Sequence, residues 1–153
     1  MNISRTIENI IIMTVIYDEL IALDYSESRF NRTTEEIIES IYSFEDDEYS
    51  ENIFNGKKLN INDISPFVIN SIQNSLKNYN DIKSAFIPYL KGWSWERIPC
   101  LIRAILVMSY ARYYYVDKEH KKIIISIAVN LAKRFFDDKQ GKFINAILEK
   151  VIK

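Results

Sequence analysis

The chain has 153 residues, 48% of them hydrophobic and 27% charged, a balance that gives one domain with a sizeable core and excludes a disordered chain. The formal net charge of −1 conceals an asymmetry, because residues 1–100 carry 9 Lys+Arg against 16 Asp+Glu and residues 101–153 carry 11 against 5. Such a split offers a C-terminal face to an acidic partner, or else marks ordinary solvated surface. Cys100 is the single cysteine, which excludes an intramolecular disulfide and a cysteine-based metal cluster; its apolar neighbours fit a small core filler rather than a nucleophile.

Only three Gly and three Pro occur, and extended alternation is scarce, so the sequence predicts an all-α fold with short connections. The first helix is expected from about Ser4, as N-cap, to Ala22, apolar on more than one side. No Lys/Arg-rich start precedes it, and Asp18 and Glu19 interrupt its apolar stretch too early for a membrane span. The expected location is therefore the cytoplasm, with no membrane partner. Thr33 and Glu36 have capping-box spacing at the start of a second helix, whose inner face reads Ile37, Ile38, Ile41 and Tyr42. The acidic run 45–58 reads as a solvated loop with a turn at Gly56.

Ser65-Pro66 predicts the start of a third helix, with Ser as N-cap and Pro at the first helical position. A fourth follows after Asn80, and "KGWSWERIP" then makes a tight corner. Pro99 is expected as the first residue of a central fifth helix that is apolar nearly all round. "KKIIISIAVNLAKRFF" is the sixth helix, and "DDKQGKFINAILEKVIK" holds the seventh, reached through a loop at Gly141. With no repeat or linker, residues 1–153 form a single domain.

Catalysis finds no support. His120, the single histidine, lies in the charged segment "DKEHKK", and Gly56, Gly92 and Gly141 are isolated rather than grouped in a phosphate loop. The carboxylates cluster without metal-ligand spacing, so no enzyme activity, cofactor or metal is expected.

Three segments in order resemble the NusB family of bacterial transcription antitermination factors. "LKGWSWERIPCLIRAIL" is similar to that family's Trp-x-x-x-Arg corner before its long central helix, "IAVNLAKRF" to its "EAVELAK-F" helix, and "KFINAILEKV" to its "KFVNGVLDK" ending. The resemblance covers about 60 residues of the C-terminal part. It implies an all-α domain of about seven helices in two packed bundles. It also implies binding of boxA-type single-stranded RNA with ribosomal protein S-ten, in the complex that carries RNA polymerase through terminators, notably on ribosomal RNA operons.

Carried over residue by residue, the resemblance assigns RNA contacts to Lys142, Phe143 and Asn145, and to Tyr17 of the first helix beside them. Lys139 stands at a nearby loop position that is usually acidic in the family. Each residue also has a plainer reading: Phe143 as a core plug, Tyr17 as core with its hydroxyl at the edge, Lys139 and Lys142 as surface decoration, and Asn145 as a helix bridge. The N-terminal arm departs from the family, since "MNISRTIEN" leaves Arg5 alone with Glu8 nearby. Every cation missing from the phosphates flattens the salt dependence by roughly 0.7 log units on single-stranded RNA. Lys121, Lys122, Lys133 and Arg134 compensate only if they face the same way.

The central helix departs too. Ile102 precedes Arg103 where the family has an acidic residue, and "YARYYYV" replaces "LYEL". Arg103, Tyr110 and Tyr113 are the candidate partner-binding residues, for S-ten, another protein or a homodimer contact, because four tyrosines in six positions cannot all point inward on one helix. The alternative function is thus a protein-interaction module on the same scaffold that has lost autonomous RNA binding.

Overall fold

The computed structural model describes residues 4–23 and 64–153, with Thr33, Glu35, Glu36, Ile37 and Glu39 between them. The expectations for the acidic run 45–58, and for Ile38, Ile41 and Tyr42, lie outside these residues.

Helix α1 (Arg5–Leu23) starts where Ser4 accepts the Ile7 N–H at 3.3 Å, as the sequence predicts. Its run of Ile10, Ile11, Ile12, Met13, Val15 and Ile16 is buried all round, so α1 lies inside the fold. Glu36 N–H donates to Thr33 Oγ1 at 3.2 Å, and Ile37 one turn later is buried, which places the second helix where expected.

Helix α2 (Pro66–Lys77) carries Pro66 in its first turn and Ser65 at the cap position, but the Ser65 hydroxyl does not cap it. Instead it donates to Oε2 of Glu8 on α1. The reason is electrostatic. Glu8 is a buried carboxylate, and a charge-assisted hydrogen bond to it outweighs a neutral one to a helix N–H.

Helix α3 (Tyr79–Phe86) follows α2 after Asn78 alone, earlier than the sequence predicts. The expected corner comes next. Lys91 and Gly92 take φ of 42° and 87°, and Gly92 suits the second of these because it lacks a Cβ. The turn leaves Trp93 67% exposed while Trp95, two residues on, is 2% exposed. Trp95 donates its indole N–H to the Tyr79 hydroxyl at 2.8 Å and packs on Phe86, ring centroids 5.6 Å apart.

Pro99 is the N-cap of α4 (Cys100–Ala111) rather than its first residue. Helix α4 continues as a π-helical turn over Arg112–Val116. His120 caps α5 (Lys121–Phe135) by accepting the Lys122 N–H at Nδ1. Asp137 caps α6 (Asp138–Val151) by accepting the Gln140 N–H at 2.7 Å.

The last cap corrects the expected loop at Gly141, which sits inside the first turns of α6. The glycine serves helix packing there. A Cβ on it would stand 3.1 Å from Lys133 Cγ and 3.5 Å from Val129 Cγ1 of α5. α5 and α6 form the closest pair, α1 and α2 pack together, and α4 touches α1, α2, α3, α5 and α6. Two groups of helices thus share α4. Among the described residues no strand occurs, and no helix is long and apolar enough to cross a membrane.

The Trp95–Tyr79 bond fixes the corner to α3. Tyr79→Phe is expected to strand a buried indole N–H and lower the stability by about 1–3 kcal/mol. Urea denaturation checks this, with the midpoint moving and the slope unchanged.

Candidate nucleic-acid interface

The cap at Asp137 starts α6 at Asp138 and sends its side chains to two different clefts. Lys139 and Phe143, four residues apart, share one face. They line a cleft of about 350 Å³ together with Tyr89, Trp93, Arg97 and Pro99 from the corner before α4. Phe143 is half-buried against the core and Lys139 is exposed. Lys153 Nζ lies 5.5 Å from the Tyr89 ring, and its contact with the Tyr89 hydroxyl raises its pKa. The cleft therefore combines aromatic faces with cations, the pairing that unstacked bases and their phosphates need.

Lys142 and Asn145 look the other way, into a groove of about 500 Å³ between α5 and α6. Lys122, Ser126, Asn130 and Lys133 line its α5 wall. Its one carboxylate, Glu149, lies 3.4 Å from the ammonium of Lys121. A smaller cleft of about 160 Å³ between α1 and α5 is lined by Thr6, Asn9, Asn130 and Arg134, so Asn130 borders both. Lys122 and Lys133 do face the same way as Lys142; Arg134 faces the adjoining cleft, and Lys121 is engaged by Glu149.

The two α1 residues lie apart. Tyr17 is half-buried with its carbonyl 3.8 Å from Cys100 Sγ, next in sequence to Pro99 of the aromatic cleft. Arg5 lies twelve residues earlier, about 18 Å along the helix axis. Its guanidinium sits 3.7 Å from the Phe67 ring centroid and 3.5 Å from Glu8. The structure thus joins Lys139 with Phe143, sets Lys142 and Asn145 in the adjacent groove, and leaves Arg5 against α2.

Arg103 donates from Nε to the Ile98 carbonyl at 3.0 Å, tying the corner to α4. Tyr110 packs between Phe86 and Tyr114 with tilted rings, at centroid distances of 5.8 and 4.5 Å. Burial first, then Tyr115, Tyr114 and Asp81, push its hydroxyl pKa up. Tyr113 meets Tyr114 edge-on at 4.8 Å, and the Tyr114 hydroxyl accepts the Lys153 N–H at 3.0 Å. Tyr115 points outward, 39% exposed, while Tyr110, Tyr113 and Tyr114 are half-buried, so the four rings do not all point inward.

Sequence reasoning missed Tyr89, Trp93 and Arg97 as site residues. Trp93 and Arg97 were visible as a corner motif, but only the left-handed turn at Lys91-Gly92 turns Trp93 outward beside α6.

A bundle of helices sharing one buried central helix, with an aromatic and basic surface at one edge, defines an all-α helical-bundle fold. Over 99% of the chain it superposes on T. maritima NusB, covering 92% of that protein with a TM-score of 0.69 at 20% identity, which shows the fold. The sequence profile of the NusB family matches residues 20–153, and the chain belongs to the NusB family. The transcription antitermination protein NusB of Macrococcus caseolyticus is 40% identical over 78 residues, which cover 51% of this chain and 59% of that protein's length. Its counterpart from Acetivibrio thermocellus is 29% identical over 143 residues, covering 94% of this chain and 84% of that protein.

Because Phe143 is half-buried, Phe143→Ala is expected to cost only about 1–2 kcal/mol, below the ~3–5 kcal/mol of a fully buried aromatic. Thermal denaturation checks this; complete unfolding would make the residue a core plug.

Proposed function

We propose that the chain is a transcription antitermination factor that binds boxA-type single-stranded RNA together with ribosomal protein S-ten. The pair joins the RNA polymerase antitermination complex in the cytoplasm, notably on ribosomal RNA operons, and acts as a scaffold without chemistry. One observation carries this reading: Lys139 and Phe143 open into the same cleft as the exposed Trp93 and Arg97. Unpaired bases stack on the aromatic faces while the cations hold the phosphates on either side. Lys142 and Asn145 extend the contact into the next groove, and Tyr17 of α1 is assigned to the RNA by the family resemblance. Arg5 contributes least, since Phe67 and Glu8 already engage its guanidinium.

A second reading rests on that engagement and on the half-exposed tyrosines of the π-helical turn. In it the chain is a protein-interaction module without autonomous RNA binding, and Arg103, Tyr110 and Tyr113 shape the contact with a protein or with a second copy.

The deciding measurement is binding of a labelled boxA-type RNA and a scrambled control, with and without S-ten. Preference for the boxA-type RNA, strengthened by S-ten, is expected. Trp93→Ala and Phe143→Ala should each weaken it by about 1–3 kcal/mol, roughly 5- to 150-fold. Equal weak binding of both RNAs, indifferent to S-ten, would leave the interaction module.

A further inference from the structure

Lys122, Lys133 and Lys142 converge on the α5–α6 groove from two helices. Among the described residues, none of the three has a carboxylate within ion-pair distance, and Glu149, the groove's own carboxylate, is engaged by Lys121. The groove is also furnished with neutral hydrogen-bonding side chains, Ser126, Asn130 and Asn145. Converging cations repel one another, and an anion lying between them relieves that repulsion.

We infer that this groove holds the phosphate backbone of a single RNA strand, with Lys122, Lys133 and Lys142 supplying the phosphate contacts that a basic N-terminal arm would otherwise make. The inference rests on the RNA-binding reading above and adds to it a second subsite with a different chemistry: charge without stacking.

Four observations fix the path. Lys142 lies between Lys139 and Phe143 in sequence on α6, so the groove begins where the aromatic cleft ends. Lys122 and Lys133 are eleven residues apart on α5, about 16 Å along its axis, which is long enough for several phosphates rather than one bound ion. Gly141 keeps the wall low at the near end, where a Cβ would press on the Lys133 stem at 3.1 Å and 3.4 Å. Past Asn130 the groove adjoins the cleft that holds Arg134 and Thr6, so the positive track continues to the start of α1. An acidic peptide would satisfy the same charges but wants an apolar pocket for an anchor residue. The aliphatic lining here is limited to Ile125, itself buried, and Val129, and amide and hydroxyl groups stand between the lysines.

The test measures the affinity of the full chain for a labelled boxA-type RNA at several KCl concentrations. Four proteins are compared: the parent, the triple variant K122Q/K133Q/K142Q, F143A, and K77Q on α2 as a charge control. The slope of log K against log salt should become shallower by about 2 in the triple variant, at about 0.7 per lysine. F143A should weaken binding at every salt concentration without changing the slope, and K77Q should match the parent. Unaltered thermal unfolding of the triple variant certifies its fold, which three exposed substitutions should leave intact. A triple variant that keeps the parental slope overturns the inference, while RNA binding by the parent leaves the antitermination reading standing. If the triple variant instead keeps RNA binding and loses S-ten, the groove is a protein contact. A parent that binds no RNA at all overturns both.

Discussion

Helix α4 touches α1, α2, α3, α5 and α6, and Ile102, Ala104, Ile105, Leu106, Val107 and Ala111 along it are almost wholly removed from water. A helix enclosed on all sides has nowhere to hide a polar group, so each one must find a partner inside the protein. Ser109 donates back to the Ile105 carbonyl at 2.7 Å, and Arg103 turns to the Ile98 carbonyl. Arg112, just past the helix end, is buried and meets both carboxylate oxygens of Asp117 at 3.1 and 3.2 Å. Breaking such a pair by removing one partner is far more damaging than the pair's net contribution suggests, because it abandons a buried charge.

The same constraint reaches the start of the chain. Arg112 lies 5.0 Å from the Phe67 ring centroid, and Arg5 lies 3.7 Å from the same ring. Arg5 in turn meets Glu8, whose other partner is the Ser65 hydroxyl that no longer caps α2. One buried carboxylate and one ring thus gather two guanidinium groups and a hydroxyl from three parts of the chain. The arginine that the family resemblance would assign to RNA is held by the junction of α1 and α2. Cation–π contact and ion pairing at a partly desolvated site both favour that arrangement over a free side chain.

Most of the helix pattern was legible because it rests on local signals. Ser4, the Thr33–Glu36 pair, Pro66 and Pro99 mark helix starts within a residue, and the all-round apolarity of α1 and α4 foretold their central positions. Two of the misreadings share one cause: side chains whose partners lie on another helix. Ser65 reads as a cap until Glu8 is seen beside it. Gly141 reads as a loop until Lys133 and Val129 of α5 are seen in the space that a Cβ would face. The candidate site divides in the same way. Lys139 and Phe143 were read from the C-terminal segment, whereas Trp93, Arg97 and Tyr89 join them only because the corner folds back onto α6.

The charge asymmetry of the sequence acquires a geometry from this arrangement. The basic C-terminal part does not spread its cations evenly: Lys121 is drawn to Glu149 and Arg112 to Asp117, leaving Lys122, Lys133 and Lys142 to share a groove. Gly141 is what allows that convergence, since it brings α5 and α6 close enough for lysines on both to face one space. A helix-favouring residue at this position would gain up to about 1 kcal/mol of propensity, yet its Cβ would push the Lys133 stem aside. Glycine inside α6 therefore trades local helix stability for close packing and for a concentrated positive field. Such a field acts over about a Debye length, ~8 Å at physiological salt, so its strength at the surface depends on that concentration and hardly at all on the net charge of −1.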